Sequence, residues 1–116
     1  MWIRKSYNLG MDIKEAEKLF KKYRGSLFGM GYDEINKYRE YKSLNISREM
    51  EQKWRKEIIE ELFSSLEKEE DYHRRDTLSF SLAELIKQAG TDKDKERLLN
   101  SQDSGELKKI INEKME

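Results

Sequence analysis

"SREMEQKWRKEIIEELFSSLE", Ser47 to Glu67, is the stretch whose reading decides the fold. Ser47 is a good N-cap: its short side chain accepts a bond from a first-turn amide. Glu49 and Glu51 follow in the first turn, where the helix dipole favours negative charge. Met50, Trp54, Ile58, Ile59, Leu62, Phe63 and Leu66 then spread over roughly 220° of a helix that turns 100° per residue. An ordinary surface helix needs an apolar stripe only a little over about 100° wide. The pattern therefore predicts a central helix near residues 47–67, covered on two sides.

Helical signals continue in both directions. Asp12 with Glu15 three residues on reads as a capping-box-like start. Ile13, Ala16, Leu19, Phe20 and Tyr23 recur at helical spacing before Gly25 supplies a stop. A second helix is expected from Asp33, with Ile35, Tyr38 and Tyr41 on one side. A fourth ends at Gly90 and carries Leu78, Leu82, Leu85, Ile86 and Ala89; its start is open between Asp71, Asp76 and Ser81 with Glu84 as a capping box. From Thr91 two short helices are expected, Asp92 to Asn100 and Ser104 to the end, joined by the turn-like "NSQDSG". The expectation is an all-α bundle of about five to six helices, built as helical hairpins and possible as a short solenoid-like stack. It is read as a single domain over 1–116, with 91–116 as a C-terminal helical pair packing on the main bundle.

Bulk composition agrees and excludes several chemistries. Charged residues are 41% and hydrophobic ones 35%, with a mean hydropathy of −1.06, values that lean toward disorder. The apolar residues are periodic, however, and include two Trp, six Tyr and four Phe, each able to bury a large area. Proline, which breaks helix interiors, is absent. Cysteine is absent too, excluding disulfides, thiolate metal sites and cysteine nucleophiles. Net charge is zero, which argues against a strongly electrostatic nucleic-acid or membrane protein. The charge is uneven along the chain, with ten Lys/Arg against six Asp/Glu in residues 1–46 and five against eight in 47–70. "MWIRKSYNLG" lacks an apolar run of signal-peptide length, and no stretch reaches the ~18 apolar residues of a membrane span. A cytoplasmic protein without a membrane segment is expected. The richness in Lys, Glu, Ile and Asn suits a small bacterial protein.

One stretch raises a binding question: "YRGSLFGMGYDEINKYREYK", Tyr23 to Lys42. Gly25, Gly29 and Gly31 suggest a phosphate loop, but the run follows a helix and lacks the lysine that a P-loop places after its last glycine. Phe28 and Met30 between the glycines fit a turn with apolar side chains tucked beneath it. Lys21, Lys22, Arg24, Arg39 and Lys42 could instead contact phosphates while Tyr38 and Tyr41 stack on exposed bases, the combination used by single-strand binders. Six acidic residues within residues 1–46 weigh against that reading.

Catalytic patterns are poorly supplied. Glu70 and His73 have the Glu-x-x-His spacing of di-iron bundles, but those sites need a second histidine and the chain has one. His73, Asp76 and Ser79 form a triad in composition only, with no nucleophile turn or oxyanion loop legible. Glu57 and Glu60 stand with Lys53 and Lys56 on a solvated helix face, where opposite charges pair at helical spacing. No catalytic residue, metal ligand or cofactor is expected, and the chain is read as a non-enzyme.

Phe80 breaks the pattern. On a helix continuous from Asp76 it lies about 120° outside the Leu78/Leu82/Leu85/Ile86 stripe, near Glu84 and Lys87. A large aromatic on a polar face is either covered by another part of the chain, such as the C-terminal helices, or offered to a partner. Phe80, His73, Glu84 and Lys87 are therefore the candidate partner surface. The functional expectation is a small cytosolic protein–protein interaction module of the adaptor, regulatory or immunity kind. Its partner is an unidentified protein or a second copy. The acidic region Glu57–Asp71 offers a surface for a basic partner. The alternative is a nucleic-acid-binding accessory protein using residues 21–42.

Overall fold

The computed structural model describes residues 11–27 and 34–116, and every regular element among them is an α-helix. In chain order these are α1 (Ile13–Lys22), α2 (Ile35–Ser43), α3 (Arg48–Lys68), α4 (Tyr72–Ala89), α5 (Asp92–Asn100) and α6 (Gly105–Met115). The protein is all-α, as its periodicity implies. The expected second-helix start at Asp33 and the loop residues Phe28, Gly29, Met30, Gly31 and Tyr32 lie outside the described residues, as does the stretch 1–10.

Short polar side chains begin most of the helices. Asp12 Oδ1 accepts from the Glu15 amide at 2.8 Å, and Ser47 Oγ from the Met50 amide at 3.2 Å. Asp71 Oδ2 accepts from the Arg74 amide at 3.0 Å, so α4 starts at Tyr72 and not after Asp76 or at Ser81. Thr91 and Asp94 form a reciprocal capping box, and Ser104 caps α6. Each such cap contributes about 1 kcal/mol. The end of α1 differs in detail from the expected glycine stop. The Arg24 amide donates to the Lys21 carbonyl and the Gly25 amide to the Phe20 carbonyl, both at 3.0 Å. Arg24 (φ 52°) turns left-handed first and Gly25 (φ 82°) follows. Double bonding of this kind satisfies orphan carbonyls of the last turn.

Within α3, after Trp54, the chain divides into two compact units. In the first, Met11, Ala16, Leu19, Phe20, Tyr41 and Trp54 are buried. The Phe20 ring stacks on Tyr41 with centroids 6.3 Å apart and tilts against Trp54 at 5.5 Å. Aromatic contacts of this geometry add roughly 0.5–1.5 kcal/mol each beyond their buried area. Ile13 and Ile35, expected on the inner faces of their helices, are exposed at 53% and 44%. Each opens its helix, where one turn of backbone has no preceding turn to pack beside it.

In the second unit, Ile58, Ile59, Leu62, Phe63 and Leu66 of α3 are buried, as are Leu82, Leu85 and Ile86 of α4, Leu98 of α5, and Ile111 and Met115 of α6. α4 packs against α5 and α6, which also pack on each other. Arg75 ties the turns together. Its Nη1 donates to the carbonyls of Leu66 (2.9 Å) and Glu69 (3.0 Å), and its Nη2 to that of Ser101 (3.3 Å). A cation at two helix C-termini meets both the unpaired carbonyls and the negative end of the dipole. Ser79, 2% exposed, accepts from Gln102 Nε2 at 3.2 Å, so a buried hydroxyl of α4 is satisfied from the turn that follows α5.

Two substitutions probe this arrangement. Arg75→Met keeps the length of the side chain but removes its bonds to three carbonyls, of which that of Leu66 still accepts from the Glu69 amide, and is expected to lower stability by about 1–3 kcal/mol. Gly90 ends α4 so closely that an added Cβ would lie 2.8 Å from the Ile86 Cα. Gly90→Ala is therefore expected to cost about 1–3 kcal/mol, the range for overpacking. For both, the check is a lower urea midpoint at unchanged slope.

Candidate functional site

Along α4, His73, Phe80, Glu84 and Lys87 fall at i, i+7, i+11 and i+14, within roughly 60° of one another around the helix. The start of α4 at Tyr72 keeps Phe80 in register with this polar line, so the aromatic anomaly persists in the fold. Phe80 is half-buried. Its cover is a cation: Lys114 of α6 stands with Nζ 5.7 Å from the ring centroid. The same ammonium is 3.8 Å from Glu84 Oε1, both side chains being substantially exposed at 41% and 69%. An exposed cation–π contact contributes about 0.5–1 kcal/mol and an exposed ion pair no more than that. Lys114 is thus held loosely over the ring. Ile110, one turn before Lys114 on the same flank of α6, is 41% exposed.

The structure brings Phe80, Glu84 and Lys114 together. It leaves His73 and Lys87, both exposed, about two turns (roughly 10 Å) from Phe80 at either end of the line. In sequence Ile110 reads with Leu107 and Ile111 as part of the apolar face of the last helix, yet it is exposed while Ile111 is buried, and Lys114 has no distinguishing signal, because which flank of α6 meets α4 follows from packing. Tyr72, beside His73 in the first turn of α4, is 73% exposed, the most open large apolar side chain described. The composition-only triad is not assembled: His73 is exposed, whereas Ser79 is buried and bonded to Gln102. Among the described residues no group of three His, Asp or Glu side chains is placed to hold a metal ion, and no helix is long and apolar enough to cross a membrane.

The acidic run is partly occupied. Arg97 of α5 lies over the Phe63 ring at 4.1 Å and reaches Glu67 at 2.8 Å and Glu60 at 3.5 Å. Its hydrogen bond to Glu67 holds the guanidinium above its ordinary pKa.

The basic, tyrosine-rich stretch is rearranged by the fold in a way that removes most of its stacking surface. Tyr41 is 5% exposed with its ring in the aromatic core and its hydroxyl donating to Glu51, so it is not a base-stacking residue. Tyr38 is half-buried and carries Lys42 Nζ 5.6 Å from its ring centroid. Lys21 pairs with Glu17 at 2.9 Å and Lys22 with Glu34 at 3.5 Å. Arg24, Arg39 and Lys42 are exposed. A cleft of about 280 Å³ opens in this unit over buried Met11 and Leu19, rimmed by Lys18, Lys22, Lys37, Glu15 and Glu40. Three lysines and two glutamates share its rim, so it focuses neither sign of charge strongly.

Tyr23 and Glu34 form the sharpest electrostatic pair described. The Tyr23 hydroxyl donates to Glu34 Oε2. That bond raises the phenol above its ordinary pKa, with desolvation and the carboxylate charge acting in the same direction. The same bond lowers Glu34, assisted by Lys22 and Lys37 against a desolvation effect of opposite sign. The lowered carboxylate adds stability that is present above its unfolded pKa and is lost as pH falls through the folded value. The raised phenol adds stability that is present below its unfolded pKa and is lost as pH rises through the folded value. Glu34→Gln is expected to bring the Tyr23 titration back toward that of a free phenol. The check is the alkaline absorbance difference between each protein and its Tyr23→Phe counterpart. An unmoved titration would show that Glu34 does not set the Tyr23 pKa. Comparison with protein-family models, with curated proteins and with solved structures finds no match for this chain.

Proposed function

We propose that this chain is a small, non-enzymatic, cytosolic interaction module of the adaptor, regulatory or immunity kind, whose contact surface lies where α4 and α6 meet. One observation carries the reading. Phe80 sits on the polar line of α4, half-buried, with a loosely held lysine over the face of its ring. Burying an aromatic ring fully is worth more than resting it beneath an ammonium, because apolar burial yields about 25 cal/mol per Å² and the cation contact adds only about 0.5–1 kcal/mol. A partner that displaces Lys114 toward Glu84 would gain the remaining area of the ring. Exposed Ile110 widens the apolar centre, and Glu84, Lys87 and Lys114 supply the charged rim that interfaces commonly have.

The nucleic-acid reading is the weaker one. It retains Lys22, Arg24, Arg39 and Lys42 as surface cations but loses Tyr41 to the core, and Lys22 already has an acidic partner.

Phe80→Ser is the direct test, since a half-buried position tolerates a small polar side chain better than a core position does. Tagged wild type and variant would be compared for capture from native lysate, with and without nuclease, after circular dichroism confirms equal helicity. The expected result is a defined protein retained by wild type after nuclease treatment and weakened at least about tenfold by the variant, the scale of an interface hot spot. Capture that is indifferent to Phe80, or that vanishes with nuclease, would overturn the proposal.

A further inference from the structure

We infer that the partner this surface fits is a second copy of the chain, docked α6 against α6 in antiparallel fashion about a two-fold axis at Ile110. The inference rests on the interaction-surface reading above and names its occupant.

Glu106, Ile110 and Lys114 fall at i, i+4 and i+8 on α6, and all three are exposed. Successive members are neighbours on the helix surface, so they make one gently wrapping line with an apolar centre, an acid at one end and a base at the other. A two-fold axis through Ile110 sets residue 110−n of one copy against 110+n of the other. Glu106 then meets the second copy's Lys114, Lys114 meets its Glu106, and the two Ile110 side chains share the centre. The stripe is its own complement, which is what an isologous interface requires.

Charge also selects the direction. Parallel pairing would set Glu106 on Glu106 and Lys114 on Lys114, two repulsive contacts in place of two attractive ones. Over longer distances nothing opposes self-association, because the net charge of the chain is zero. Lys114 is suited to the role. It has three donors, and among the described residues it meets the Glu84 oxygen at 3.8 Å and the Phe80 ring, so a second carboxylate can draw it off the ring while Glu84 stays within reach. Phe80 borders the same contact and extends it toward α4.

The size of the surface limits the affinity. An eleven-residue helix is about 16 Å long and covers well under the ~800 Å² per partner of a standard stable interface. The association is therefore weak and has to be measured up to about 1 mM chain.

The test is sedimentation equilibrium of the full chain from about 10 µM to 1 mM, at low and at 0.5 M salt. Wild type is expected to form a concentration-dependent dimer that salt weakens. Glu106→Lys and Lys114→Glu are each expected to weaken it about tenfold, and the double swap to restore it to within about threefold. Ile110→Asp, at an exposed position, serves as the second variant and is expected to leave the helicity unchanged and the chain monomeric. A monomer at every concentration overturns the inference, as does a dimer that ignores both single changes or one that the double swap fails to restore. A chain that stays monomeric yet captures another protein through Phe80 refutes the self-pairing alone. A monomer without Phe80-dependent capture refutes the interaction-module reading as well.

Discussion

In the unit that carries Phe80, the arrangement of helices depends on the guanidinium of Arg75. It meets two carbonyls where α3 ends, those of Leu66 and Glu69, and a third at the C-cap of α5, that of Ser101. Helix C-termini are where backbone acceptors go unpaired and where the dipole is negative, so one planar cation satisfies both deficits at two helix ends together. The turn between α3 and α4 is thereby held beside the turn between α5 and α6. Arg97 makes a second connection farther along, lying on the Phe63 ring between Glu60 and Glu67. With these connections made, α6 buries Ile111 and Met115 and brings Lys114 over Phe80.

The tyrosines illustrate how a fold sorts one residue type among several roles. Tyr41 is a core residue stacked on Phe20, Tyr23 is a hydrogen-bond donor to Glu34, Tyr38 lies beneath Lys42, and Tyr72 is open to solvent. A tyrosine has an apolar body and a polar tip, and it is stable wherever the tip finds water or an acceptor. Composition therefore counts such residues without assigning them. The same holds for the cations. Lys21 and Lys22 are paired with acids, Lys42 and Lys114 lie over rings, and Arg75 is bonded to main chain.

Much of the local structure was legible before any tertiary contact was known. Asp12, Ser47, Thr91 and Ser104 announce four helix starts, and Gly90 announces a stop, at a position where Ile86 leaves little room for a side chain. Six of the seven residues in the wide arc of α3 are buried, with Met50, near its free end, only half so. The start of α4 was less legible, because Asp71, Asp76 and Ser81 are all competent caps and only packing selects among them. Ile13 and Ile35 read as inward-facing and are not, since periodicity describes a helix face without saying where along its length the neighbour stops. The candidate surface was half legible. Phe80 stood out as a misplaced aromatic and Ile110 read as a packing residue that the fold leaves exposed, while Lys114 and Arg75 looked like their neighbours.

What the sequence by itself determined is the all-α class, most helix boundaries and the wide burial of α3. Caps, propensities and 3.6-residue periodicity act between residues a few positions apart, so their physics is written in short windows of the chain. Only the tertiary structure decided which tyrosine is core, which arginine joins the helix ends, and which lysine covers Phe80. Arg75 and Ser101 are 26 residues apart in sequence, and Phe80 and Lys114 lie on different helices. In a chain that is 41% charged, each such cation has many possible acids, carbonyls and rings to meet, and only the packing of apolar faces selects among them.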